Sequence, residues 1–304
     1  MVLALFGISF IFNMFSLINS NKGLENYKLL SDETSRISEI EMSFFEATVS
    51  LKDYVINYDE QNKETIIRNI NNIKTNSFVD TKDSTSLLNL LTYINDYEKY
   101  FNQIVEINNE KEFLIHQEFI NFSNALRQLI SNFKTEAKEN NVSTVVFYCD
   151  SALEALENIV SFSSTYFSSE STSDKNSVLE GFNTLISQLS IMEYGLVSKE
   201  LEEMFKDLQS NTLEFKKVFN QIVEAIESQE PIIQEMEQLR VEILNLLEDQ
   251  RAQLKEQQDT LGPQLIEKNN KSIVLTIILT VVAFVVAIIM VIYLIRSITK
   301  PLLE

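Results

Sequence analysis

The chain has almost none of the two residues that interrupt helices. Of its 304 residues, five are Gly and three are Pro. Between Leu24 and Glu180 there is neither, although average usage would place roughly 12% there. A β-sandwich, a dinucleotide-binding domain or a (β/α)8 barrel needs turns with positive or fixed φ, which this stretch cannot supply. Gly-rich phosphate loops fail for the same reason. There is one Cys and no CxxC, so neither a disulfide framework nor a thiolate metal site is expected. Cys149 follows Val145 and Val146 at helical spacing and reads as a small core residue. The single His, His116, reads as a solvated helix position. Without HExxH or a Ser-His-Asp set, no catalytic group, metal or cofactor is expected, and an enzyme is the reading the residues support least. The composition is that of an all-α protein.

Positive charge is scarce as well. The chain has 25 basic and 44 acidic residues, a net charge of −19. Residues 271–304 hold only Lys271, Arg296, Lys300 and Glu304, so the part before them carries −21. Such a surface repels phosphate backbones, which excludes nucleic acid as a partner. It is also unsuited to lying on anionic lipid.

Two apolar segments frame the acidic region. Residues 273–295 (IVLTIILTVVAFVVAIIMVIYLI) carry no charge and span ~34 Å as a helix, enough to cross a bilayer. Residues 2–18 (VLALFGISFIFNMFSLI) are interrupted by Gly7 and Asn13. A signal peptide needs a basic leader and a small-residue cleavage site, and neither is present. A first span whose basic flank is absent is therefore preferred. The positive-inside rule guides only mildly, since Lys268 and Lys271 nearly balance Arg296 and Lys300. The acidic region is expected outside, with both termini in the cytoplasm.

Apolar positions between the spans recur at helical spacing. Leu30, Ile37, Phe44, Leu51 and Tyr58 repeat every seven, with Ile40, Ala47 and Tyr54 three residues after members of that series. This is a seam suited to a four-helix bundle. The pattern predicts helices near 24–58, 65–74, 87–138, 142–166, 178–190 and 198–269. Polar runs separate them, and Gly195 is expected to take positive φ in the last turn. YEKYFNQIVE (97–106) and FKKVFNQIVE (215–224) agree at seven of ten positions. That agreement points to duplication of a medium, short and long helix. A third helix of ~78 Å and a last of ~108 Å are too long for one compact bundle. Two stacked four-helix bundles are expected, six helices with the two long ones shared. The proximal bundle takes about 24–110 and 235–270, and the distal one about 111–234.

In these features the chain resembles the helical bimodular sensor domains of bacterial chemotaxis receptors and some sensor histidine kinases. RSITKPLLE (296–304) looks like the opening of a HAMP linker, and QQDTLGPQL (257–265) is similar to the segment above the second span of such receptors. The order of segments is also the family's: a first span (1–19), a sensor region (20–271), a second span (272–295) and the start of HAMP (296–304). The resemblance implies a multi-pass protein of the bacterial inner membrane, with a periplasmic or extracellular sensor and a homodimeric assembly. The implied ligand is a small organic acid, and an amine or amino acid stays open. Docking of a periplasmic binding protein, a histidine kinase output or a purely structural bundle are the alternatives.

A carboxylate ligand calls for fixed donors, and Arg supplies a planar fork. Arg240 and Arg251 lie three turns apart on one face of the last helix, with Leu244 and Leu247 between them. Arg36 on the first helix stands at a height comparable to Arg251. The candidate anion site is Arg36 with Arg251, assisted by Arg240 or Lys255; the alternative is ion pairing, as with Glu248. A second, aromatic candidate comprises Tyr93, Tyr97, Tyr100, Phe101, Tyr166 and Phe167. For signal transmission the candidates are Gly262 and Pro263 above the membrane and Pro301 at the linker. The expected signal is a 1–2 Å shift of the last helix against the first, a scale typical of interface helix shifts.

Overall fold

The computed structural model describes residues 2–77 and 84–299, and among them no strand occurs. The all-α expectation is met. The elements are α1 (Val2–Asn57), α2 (Glu60–Ser77), α3 (Ser84–Phe113), α4 (Ile120–Glu139), α5 (Ser143–Ser169), α6 (Thr172–Met192) and α7 (Lys199–Thr299). A π-helical turn, Leu114–Phe119, joins α3 to α4 without a break, so six helical runs result. Part of the polar connection expected at 76–86 lies outside the described residues.

The helices are longer than the hydrophobic pattern implied because polar residues cap them tightly. Asp59 Oδ1 accepts from Gln61 N–H at 3.2 Å, so α2 begins at residue 60 rather than 65. Ser171 Oγ accepts from Asp174 N–H at 3.2 Å, and the Asp174 carboxylate accepts from Ser171 Oγ at 2.8 Å. The Ser-rich run expected as a turn is therefore mostly helix, with α6 starting at Thr172. Hydrogen bonds from Ser169 and Ser171 hold the Asp174 carboxyl below its usual range.

Left-handed turns are made without glycine. Tyr58 (φ 54°), Asn141 (φ 60°) and Glu170 (φ 50°) take positive φ, and no described Gly does. The expectation for Gly195 is thereby corrected. It sits in a 3-10 turn, Glu193–Gly195, where an added Cβ would meet Val145 Cγ2 at 2.3 Å. Close approach of a buried Val, not conformational freedom, is what requires a residue without a Cβ here.

The chain divides into two compact units, the described residues up to Ile94 with those from Arg240 onward, and Asn95–Leu239. In the first, α1 packs on α2. Of the eight expected seam residues, Ile37, Ile40, Phe44, Ala47, Leu51 and Tyr54 are buried and Leu30 and Tyr58 only partly so; Ile66, Ile70 and Ile73 of α2 and Ile243 and Leu247 of α7 are buried too. On α1 no described residue before Ile37 is buried. In the second unit, one core draws on α4, α5, α6 and α7. Its centre is aromatic: Phe215 lies 4.7 Å from Phe119 and 5.2 Å from Phe182 between ring centroids. The matching decapeptides bury equivalent positions, Tyr97, Phe101 and Ile104 in one and Phe215, Phe219 and Ile222 in the other.

α7 is one helix of 101 residues. It passes through Pro231 and Pro263, each of which lacks an N–H for the carbonyl four residues earlier, Glu227 and Asp259.

Candidate functional site

The arginine candidates lie in the first unit, where α1 and α7 run antiparallel and two contacts share one register. Gln258 Nε2 donates to Thr34 Oγ1 at 2.9 Å. Arg251 Nη1 donates to Glu41 Oε2 at 3.0 Å and to Oε1 at 3.3 Å. Seven residues separate the two contacts on each helix. Arg36 is therefore level with about residue 256, beside Lys255 and ~7 Å along the axis from the Arg251 contact. Arg36 is half-buried, and its Nε is enclosed with no hydrogen-bond partner among the described residues. Arg240 stands ~16 Å along α7 from Arg251 and is half-buried. Arg36, Arg251 and Lys255 thus share two turns of the α1–α7 pair, and Arg240 stands apart from them.

Arg251 carries an internal carboxylate, but not the neighbour on its own helix. Its partner is Glu41 across the groove, not Glu248. Arg251 and Lys255 are exposed. A cavity of about 390 Å³ close to this level is lined by Leu30, Glu256 and Gln264 among others, and by no basic residue.

The signal-transmission candidates are placed in part. Gly262 is half-buried in α7, where a Cβ would make ordinary contact with Tyr27 at 3.5 Å. Pro263 is exposed in the same helix. Pro301 and the rest of the HAMP-like stretch after residue 299 lie outside the described residues.

The aromatic candidates belong mostly to the core. Tyr97 and Phe101 are buried. Tyr166 is buried too, its ring 5.8 Å from Phe219. Burial, then the Glu227 and Glu170 carboxylates, push the Tyr166 hydroxyl up to about 12. Packing accounts for these rings.

A set of buried polar side chains in the second unit was not anticipated. Lys111 is 1% exposed, and its ammonium donates to Glu170 Oε1 at 3.0 Å. Gln229 Nε2 donates to Asn108 Oδ1 at 2.5 Å with both residues buried. Asn108 Nδ2 and Ser163 Oγ have no hydrogen-bond partner among the described residues. An ammonium and an unmatched amide donor in an apolar interior can hold an anion or a carboxylate, since low dielectric strengthens such bonds. A signal existed: the buried series Leu90, Ile94, Tyr97, Phe101, Ile104 steps by 4 and 3 residues, and its continuation falls on Asn108 and Lys111.

α7 is the one described helix long and apolar enough to cross a membrane. No protein-family model matches the chain, and no curated protein matches it significantly.

Proposed function

We propose that the chain is the sensory part of a transmembrane receptor, a helical bimodular sensor carried on two membrane spans. The observation that carries this reading is the continuity of α7. One helix supplies buried core residues to the second unit, among them Phe215 and Phe219, and ends in an uncharged apolar run. A rigid element of that kind couples events in a helical core to the chain on the far side of the membrane. The N-terminal part of α1 acts as the first span, the helical units lie outside the cytoplasm as two stacked four-helix bundles, and the receptor works as a homodimer. The segment after residue 296 opens a HAMP linker leading to an output domain.

The ligand is a small organic acid. At the α1–α7 site an incoming carboxylate competes with Glu41 for Arg251, with Arg36 and Lys255 within reach of the same two turns. Binding shifts the equilibrium only by its differential affinity for the two states. The experiment is a thermal-shift screen of the detergent-solubilised chain against organic acids, amino acids and amines. An organic acid should raise the transition, Arg251→Ala should abolish the shift, and Glu41→Ala should enlarge it. An unchanged response in Arg251→Ala removes the site. A periplasmic docking receptor would give no shift with any small molecule. Resistance of the full chain to alkaline carbonate extraction tests the membrane part of the reading separately.

A further inference from the structure

A cavity of about 930 Å³ forms a groove between α1 and α7 where the apolar segments begin. Its lining changes character along the helix axis. Beyond Ile11, Phe12 and Phe15 comes a band with Lys22, Lys268 and Lys271, then Leu261 and Leu265 further along α7, and no acidic residue lines it. The changeover coincides with the start of the uncharged run at Ile273. Lys271 is paired with Glu267, exposed on both sides. Lys22 and Lys268 have no ion-pair partner among the described residues. In a chain of net charge −19, two lysines without acids beside a cavity are notable for what they leave unneutralised. The volume is that of a small-molecule site.

We propose that this groove binds one anionic phospholipid from the leaflet that faces the helical units. Its phosphodiester sits among Lys22, Lys268 and Lys271, and an acyl chain lies along Phe12 and Phe15. The amphiphile matches the lining on both counts: charge meets charge outside the hydrocarbon, and chain meets aromatic face inside it. Seven residues from Phe15 to Lys22 are ~10 Å of helix, enough to cross one headgroup layer of about 5–8 Å. A second copy of the chain fits the groove poorly. A two-fold interface presents the same patch twice, so it would bring four lysines without an ion-pair partner together, beside two Lys271–Glu267 pairs. The groove lining itself holds no acid, so a single headgroup can be held locally although the chain as a whole discourages flat adsorption on anionic lipid.

The inference rests on the membrane reading of α7, and the two can fail separately. The full chain in a neutral detergent is examined by native mass spectrometry with phosphatidylglycerol, with phosphatidylcholine of the same acyl composition, and with glycerol 3-phosphate. One phosphatidylglycerol should be retained per chain in preference to phosphatidylcholine, and glycerol 3-phosphate should leave no adduct. Lys22→Gln and Lys268→Gln should each weaken retention about fivefold, while Lys22→Arg with Lys268→Arg retains it. Equal retention of the two lipids, or undiminished retention in the double Gln variant, overturns the proposal. So does an adduct with glycerol 3-phosphate alone, which would make a free phosphate the ligand. Spontaneous disulfide dimers of Asn19→Cys in a Cys149→Ala background would place a second copy in the groove and overturn it as well. A chain washed off membranes by carbonate sinks both readings; one that stays in the membrane yet keeps no phosphatidylglycerol sinks only this one.

Discussion

Cys149 is fully buried in the hydrophobic core of the second unit. Burial, with the Asp150 carboxylate adding to it, pushes its thiol up from about 9 to about 12. An unfolded chain loses this proton near pH 9 and the folded one keeps it to about 12, so folding binds protons in that window. Stability should be unaffected by this group below pH 9 and fall as pH rises through the folded value. Cys149→Ala should flatten that decline in alkaline denaturation curves. Iodoacetamide at pH 8 should leave the native thiol unmodified and label it on unfolding, as mass spectrometry would report. Lys111 and Glu170 give a second test at this scale. Glu170→Ala takes a carboxylate away from a buried ammonium and should cost up to about 3 kcal/mol in denaturant unfolding. Lys111→Met removes the charge itself and should be close to neutral. Were Lys111→Met the worse of the two, the ion pair would be a net stabiliser. Cys149 is legible from its spacing. Lys111 is not, because a charged residue reads as surface although its position in the seam is a core one.

At the scale of the element, the seam on α1 is readable because six apolar residues at heptad spacing leave one face to bury. Helix ends are less readable. Hydrophobic period says nothing about where a cap falls, and Ser171 with Asp174 starts α6 inside a run that composition marks as turn. Glycine misleads for a related reason. A turn glycine is usually explained by positive φ, but Gly195 is needed because Val142 and Val145 crowd its Cα. Val145 is buried and β-branched, so it cannot rotate away from an added methyl. Gly195→Ala should therefore destabilise by about 1–3 kcal/mol, measured as a lowered denaturation midpoint at unchanged m. Gly23→Ala meets only Leu265, closest at Cδ2, the end of a flexible, partly exposed side chain, and should be tolerated. Equal losses at the two positions would contradict this account.

The whole molecule is governed by its helices and its charge. That it is all-α is legible from the missing Gly and Pro alone, since no other class can be built with so few turn formers. The arginine site is only half legible: height along the helices follows from counting residues, but the choice of Glu41 over Glu248 depends on which faces of α1 and α7 meet. A net charge of −19 makes the folded state repel itself. Added salt at neutral pH should therefore raise the unfolding temperature, because the Debye length falls to about 10 Å at 0.1 M. The exposed ion pairs that salt weakens are each worth about 1 kcal/mol or less. A transition that falls with salt would place those pairs above the self-repulsion.

Thr276 Oγ1 donates to Asn13 Oδ1 at 2.5 Å, joining the two apolar segments of α1 and α7. If the two apolar segments span the membrane as proposed, water cannot replace that bond, and it behaves as a tether of limited length. An axial slip of ~2 Å stretches it to only ~3.2 Å, still within hydrogen-bonding range. A slip of one helical turn, ~5.4 Å, breaks it. The bond thus permits small travel between the two helices while fixing their register, an end-stop on the stroke of the receptor proposed above.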